Sequence, residues 1–318
     1  MRTLEYVRVG EPAQAVAELA ADPAAAFLAG GTTQLDLMKI GTVTARRLVD
    51  ITRLPLRDVT FDGGDLRVGA LVTMERLARE PVVAQRLPVL RDALLAGASV
   101  QLRNAATIGG NLLQRTRCPY FRDVATACNK RDPGAGCAAL EGVHRNHAIL
   151  GTSPHCIATH PSDLAVALVA LDAVVRLLGP DGPRTVPLTG FYLPPDDTPR
   201  LETVLRHGDL VTGVDIPLPA QGTRSGYLKV RDRASYDFAL ASAAVVADPG
   251  RTRVALGGVA TVPWRARRAE AVLREAPEAF VAAAGAELAD AEPRRDNGYK
   301  VELARRTLIR ALSTWAAP

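Results

Sequence analysis

The apolar positions of this chain switch between a period of two and a helical period every ten to twenty residues or so, a pattern of short strands interleaved with helices. Leu4 to Val9 reads as a strand. Glu11-Pro12 opens a helix through Leu19, with Ala13, Val16, Ala17 and Ala20 on one face. Ala26-Phe27-Leu28-Ala29 is a short buried strand, Leu35 to Lys39 is helical, and Arg47 to Ile51 is the next strand. Residues 1–55 therefore form a small α/β unit.

The alternation continues through residues 56–220. Asp65 to Ala70 follows a Gly63-Gly64 turn as a strand, Thr73-Met74-Glu75-Arg76 looks like a helix start, and Val89 to Ala98 is a strongly apolar helix. Leu164 to Leu171 is apolar on every face, which marks a buried helix, and Ser162 is placed to cap it. Val174 to Leu178 and Val211 to Ile216 are further strands. Residues 222–318 read as a separate subdomain: a strand at Gly226 to Val230, a charged loop from Arg231 to Phe238, apolar segments at Ala239 to Ala247 and Arg253 to Val259, then helices ending with Val301 to Trp315.

Two places interrupt the pattern. The strand ending at Ala29 runs into Gly30-Gly31-Thr32-Thr33-Gln34 and then a helix, an order that lets successive amides and hydroxyls face one concavity suited to phosphate. Asn104 to Asp163 has little apolar periodicity, opens with Thr107-Ile108-Gly109-Gly110-Asn111, and closes with His160-Pro161-Ser162-Asp163. It holds all four cysteines, Cys118, Cys128, Cys137 and Cys156, and four of the five histidines. A long irregular segment in a compact domain needs a function or an internal staple. No cysteine pair has the CxxC spacing of zinc knuckles or redox dithiols. Disulfides or unrelated thiols, a mixed Cys/His zinc site, and a four-thiolate iron–sulfur cluster are all compatible with the set. Arg115, Arg117, Arg122, Lys130 and Arg131 lie nearby in sequence, and Pro133, Gly134 and Gly136 let amides turn toward sulfur, which suits an anionic centre.

With 318 residues, 47% of them apolar, the chain can build a core without disulfides, and with only 4% aromatics that core is made of Ala, Val and Leu. The net charge of +5 is spread over arginine pairs rather than gathered into a tract, which argues against nucleic acid as a partner. No apolar run reaches membrane-spanning length, and Met1 to Tyr6 has no signal-peptide core, so the sequence by itself points to the cytoplasm and to no membrane insertion.

Taken together, Leu28-Ala29-Gly30-Gly31-Thr32-Thr33-Gln34-Leu35, the second loop with Thr107, Gly109, Gly110 and Asn111, and the later Asp163, Val211 and Lys229 resemble the FAD-binding medium subunits of the molybdenum hydroxylases, the xanthine dehydrogenase and carbon monoxide dehydrogenase family. Asn111 to Phe121, Cys128-Asn129-Lys130-Arg131 and Ile157 to Asp163 are most similar to the medium subunits of bacterial periplasmic aldehyde oxidoreductases.

The resemblance implies an α+β chain: a two-part FAD-binding domain of the vanillyl-alcohol-oxidase type (1–55 and 56–220), with an iron–sulfur insertion at about 112–160, then a C-terminal subdomain of sheet plus helices over 222–318. It implies FAD on the two glycine loops, Asp163 accepting from cofactor hydroxyls, Val211 as the apolar residue against the flavin, and Lys229 beside the isoalloxazine. It also implies a [4Fe–4S] cluster on all four cysteines. The expected partners are a large molybdopterin-binding subunit that oxidises an aldehyde and a small subunit with two [2Fe–2S] clusters. Co-export with a signal-bearing partner would carry the complex to the periplasm. Tyr236, on the loop after Lys229, is expected over the flavin face. The other functions open to the sequence are a stand-alone flavoprotein reductase and a zinc-stapled module that binds a phosphate ligand.

Overall fold

The computed structural model describes residues 3–317 and builds them around three sheets. Strands β1 (Glu5–Arg8), β2 (Ala25–Leu28) and β3 (Arg47–Asp50) make a parallel sheet in the order β1-β3-β2. The helices Pro12–Ala20 and Gln34–Lys39 supply its crossovers. Strands β4 (Val59–Asp62), β5 (Asp65–Gly69), β6 (Val174–Gly179), β7 (Gly182–Pro187) and β8 (Leu210–Pro217) form an antiparallel sheet ordered β4-β5-β8-β6-β7. Strands β9 (Arg224–Val230), β10 (Ala241–Asp248), β11 (Arg251–Gly257) and β12 (Trp264–Arg265) form the third sheet, also antiparallel.

The strands and helices read from apolar periodicity are present within a few residues of their expected ends. β4 and β7 are not visible in the pattern, and both are edge strands. β7 carries Pro183 and Pro187, which an edge tolerates because its outer amides have no neighbour to bond. The helices Pro81–Arg86, Val100–Ala105, Ile108–Leu112 and Pro119–Arg122 are four to six residues long, too short to show a period.

Two helices bind the second sheet to the third. Pro88–Ala96 and Asp163–Ala170 share one core with Leu66, Val68, Val175 and Val214 on one side and Tyr227, Ala244, Val246 and Ala255 on the other. Every residue of Asp163–Ala170 is buried, which explains its all-round apolar sequence. Each of its large aliphatic side chains contributes about 1.5–3 kcal/mol by leaving water. The outer face of the third sheet is covered by Arg267–Glu275, Phe280–Leu288 and Tyr299–Trp315. A smaller core under the first sheet reaches Leu71 and Leu210 of the second, so these two sheets meet along one line.

Ser162 caps the buried helix as expected: its Oγ accepts from Ala165 N at 3.0 Å, and it also donates to Asn111 Oδ1 at 2.6 Å. Ser162→Ala is expected to cost about 1 kcal/mol, since Asn111 Oδ1 keeps its bond from Gln114 Nε2 at 3.1 Å. Denaturant unfolding with an unchanged m-value checks this; an unchanged midpoint would mean that the cap is dispensable.

Candidate functional site

The line where the first two sheets meet opens into a cleft with two lobes that share Thr32, Thr33 and Gly110. The first lobe, about 320 Å³, is lined by Ala29, Gly30, Gly31, Thr32, Thr33 and Gln34 from the loop after β2, by Thr107, Gly109 and Gly110, and by Val211 of β8. Two features shape it. Gly31 stands at φ +71°, which favours glycine, and a Cβ on Gly30 would fall 1.9 Å from Ala105 O, so the two loops touch through a missing side chain. Among the described residues, no acceptor takes the amides of Gly30, Gly31, Thr32 or Thr33. Gln34 Nε2 is buried here without a partner. An array of free donors around a concavity needs acceptors from outside the chain.

The second glycine loop bonds its amides within the chain. Ile108 N and Gly109 N donate to Val72 O and Ala70 O, both at 2.9 Å, Gly110 N donates to Thr107 Oγ1, and Asn111 N to Thr107 O. Two of these amides anchor the loop to the strand-end segment 70–72 and two close it on Thr107, so it supplies a wall rather than a cradle. Leu28 and Leu35 line neither lobe; both lie against Gly31.

The second lobe, about 470 Å³, collects Asn111, Asp163 and Lys229. Asp163 Oδ2 accepts from Lys229 Nζ at 2.7 Å, and Oδ1 accepts from Tyr227 Oη at 2.5 Å. Lys229 also donates to Ala96 O at 3.1 Å. The lysine is therefore half of a buried ion pair rather than a free cation, and both carboxylate oxygens of Asp163 already have donors. Burial and the neighbouring Asp163 carboxylate hold the Tyr227 hydroxyl far above its ordinary pKa. Sequence reasoning missed Tyr227, although it stands two residues from Lys229 on β9 and so shares its face. Val211 lies in the first lobe, not beside Lys229.

The same lobe contains arginines that the sequence had assigned to the cysteines. Arg117 and Arg122 both pair with Asp36, at 3.4 and 2.8 Å, leaving a net positive charge. Arg117 lies over the Phe238 ring, and its Nε has no partner. Arg233, Tyr236 and Asp237 form the outer rim, with Tyr236 exposed and at φ +53°. The backbone on the opposite rim is pinned by Arg103, whose guanidinium bonds Glu75 Oε2 at 2.8 Å and the carbonyls of Leu95 and Gly97.

The four cysteines are free thiols and line one cavity with Tyr120, Phe121 and Lys130. Among the described residues, no three His, Cys, Asp or Glu side chains converge as a single-ion site would require. Cys128 and Cys137 face each other across an antiparallel bridge. Burial pushes the Cys118 thiol up to about 12, against the amides of Phe121 and Tyr120, which favour the thiolate. Cys137 receives the amides of Ala139, Leu140 and Ile157, and Cys156 that of Ala158. Of the nearby cations, Lys130 borders the cavity but bonds Glu202 at 2.9 Å, and Arg115 bonds the same carboxylate. Arg131 is consumed by the carbonyls of Tyr120, Phe121 and Thr126. These bonds hold in place a segment with little secondary structure of its own.

Comparison with known proteins decides the family. Residues 2–219 match the FAD-binding domain of molybdopterin dehydrogenases, and residues 226–315 match the C-terminal domain of carbon monoxide dehydrogenase flavoproteins. The chain belongs to the FAD-binding medium subunits of the molybdenum hydroxylases. It is 50% identical over 316 residues to the aldehyde oxidoreductase FAD-binding subunit PaoB of Escherichia coli, covering 98% of each chain. It is 32% identical to the carbon monoxide dehydrogenase medium chain of Hydrogenophaga pseudoflava, covering 97% of this chain and 94% of that one. The fold superposes on a solved carbon monoxide dehydrogenase from Hydrogenophaga pseudoflava with a TM-score of 0.75 at 30% identity, over 98% of this chain and 96% of the other. As a medium subunit, the chain is the flavoprotein component of an oxidoreductase complex. No helix among the described residues is long and apolar enough to cross a membrane.

Proposed function

We propose that this medium subunit carries FAD along the two-lobed cleft and a [4Fe–4S] cluster between Cys118, Cys128, Cys137 and Cys156. In this reading it serves a three-subunit, molybdenum-dependent aldehyde oxidoreductase. A large molybdopterin-binding subunit oxidises the aldehyde, a small subunit with two [2Fe–2S] clusters delivers the electrons, and an external acceptor removes them. The observation that carries the reading is the cleft itself: unsatisfied amides and an unpartnered Gln34 amide in one lobe, continuous through Thr32, Thr33 and Gly110 with a lobe that offers buried charge. The ligand that suits it is long, anionic in its middle and aromatic at one end. Residues 1–55 and 56–220 are read as the two halves that clasp it.

The amides of residues 30–33 and the Thr32 and Thr33 hydroxyls fit the pyrophosphate, with Gln34 donating beside them. Val211 is read as packing the half of the cofactor beyond the pyrophosphate rather than its redox ring. Asp163 orients Lys229 and Tyr227, and the Lys229–Asp163 pair with Asn111 borders the ring end. Arg117 and Arg122 supply the net positive field there, which favours negative charge on a ring bound beside them. Tyr236 and Phe238 close the outer edge against water. Bound FAD and a thiolate-held cluster would supply the electron-accepting chemistry.

Four sulfurs placed around a space, those of Cys118, Cys137 and Cys156 facing local amides, suit a cluster that offers separate iron corners. A single zinc ion would instead draw all four ligands to within about 2.3 Å of one centre. The spectrum of the purified chain tests both cofactors. Structured flavin bands on a broad brown background, both bleached by anaerobic reduction, are expected. Flavin bands alone, unchanged by iron and sulfide reconstitution, would remove the cluster. Turnover of a reductant by the isolated chain at the rate of the co-expressed complex would favour a stand-alone reductase.

A further inference from the structure

We propose that His147 is a positioning residue for the cysteine site: its Nε2–H donates to the Cys118 sulfur and sets the redox potential of the cluster held there. This rests on the [4Fe–4S] reading above. His147 Nε2 lies 3.2 Å from Cys118 Sγ, with both residues buried. The other ring nitrogen, Nδ1, is buried and has no partner among the described residues.

The position of the ring proton follows from these two facts. A sulfur that has lost its proton offers only lone pairs, so a bare Nε2 would face it lone pair to lone pair. A proton on Nδ1 would in addition be a buried N–H that makes no hydrogen bond of normal geometry, with only the His144 carbonyl acting on the ring. With the proton on Nε2, the N–H meets the sulfur and only an acceptor site is left unfilled. Neighbouring His144 shows the opposite arrangement: Nδ1 lies 2.9 Å from Gly142 O, and Nε2 accepts from Asp296 N.

The ring is held where it is from outside the cysteine segment. His147 O accepts from Lys300 Nζ at 3.0 Å and from Asn297 Nδ2 at 3.4 Å, both at the start of the C-terminal helix. Lys300 is itself fully buried and also binds the carbonyls of Asn146 and Gly258. Cys118 thus has a side-chain donor in addition to the amides of Tyr120 and Phe121, whereas Cys137 and Cys156 have amides alone. A hydrogen bond to a ligating sulfur stabilises the more negative, reduced state and raises the potential.

The test uses the full chain carrying its cluster, with iron and sulfide content and a redox titration followed by electron paramagnetic resonance. His147→Leu is expected to keep its iron and sulfide but shift the midpoint to more negative potential, and His147→Gln, which can still donate, to stay near the wild-type value. An unchanged potential in a cluster-containing His147→Leu would overturn the inference while leaving the cluster reading intact. Wild-type chain without iron would remove both. Should His147→Leu lose the cluster, the wild type labelled with ¹⁵N-histidine decides. Pulsed resonance of the reduced cluster should show a coupled histidine nitrogen that survives His155→Leu, His155 being a histidine that lines the cavity itself. Its absence would overturn the proposal.

Discussion

With the proposed cluster on the four cysteines, replacing Cys128 by serine is expected to strip the chain of most of that iron while leaving flavin in place. Cys128 is buried, borders the shared cysteine cavity and faces Cys137 across a backbone bridge. The next residue, Asn129, ties this region together: its Oδ1 accepts from Gly136 N at 2.8 Å and its Nδ2 donates to His155 O at 3.1 Å. A serine would keep this scaffold nearly unchanged in volume but replace a soft thiolate by a hard, reluctantly ionised hydroxyl. Loss of an outer-shell partner alone commonly weakens metal retention about tenfold, so loss of a direct ligand should cost at least that much. None of the residues lining the two-lobed cleft touches position 128 in sequence or borders its cavity. Flavin-to-protein ratio should therefore hold, and assembly with partner subunits should weaken only as far as residues 112–160 loosen. Iron and sulfide assays read the first effect and co-purification the second. Wild-type iron in this variant would exclude the four-ligand assignment.

The uneven legibility of this site has physical causes. The first glycine loop was readable because its requirements are local: Gly31 needs a positive φ, and the strand–turn–helix order is set by neighbours in sequence. The second loop also carries a glycine pair, yet the amides of Ile108 and Gly109 are taken by Val72 and Ala70, more than thirty positions earlier, which no local pattern displays. Arg117 and Arg122 misled through proximity in sequence to Cys118. The short helix Pro119–Arg122, which carries Arg122, and the distant Asp36, which pairs with both arginines, place their side chains in the second lobe of the cleft instead. Val211, expected against the flavin, lines the first lobe from β8, beside the β6–β8 register shift between Arg176 and Leu177. Most strands, though not their grouping into three sheets, followed from apolar periodicity, while β4, β7 and the two-residue β12 escaped it as polar, proline-bearing or very short edges.

Asp163→Ala is expected to lose FAD and stability together, and a second substitution separates the two. The carboxylate is 8% exposed and accepts from Lys229 at 2.7 Å and from Tyr227, while the Lys229 side chain is 4% exposed. Removing it leaves the ammonium with Ala96 O as its remaining partner among the described residues and strips the Tyr227 hydroxyl of its acceptor. Breaking one side of a buried pair costs about 3–5 kcal/mol, because an uncompensated charge stays behind. The single variant should therefore unfold at clearly lower denaturant and emerge from gel filtration depleted of flavin. Adding Lys229→Met removes the stranded charge, and a buried pair replaced by apolar groups is often close to neutral in stability. The double variant should recover most of the lost stability. If Asp163 and Lys229 border the flavin as proposed, its FAD content stays low despite that recovery. Full flavin in a restabilised double variant would mean that the pair only braces β9 against the buried helix, and that the cofactor is gripped by the first glycine loop and the arginines alone.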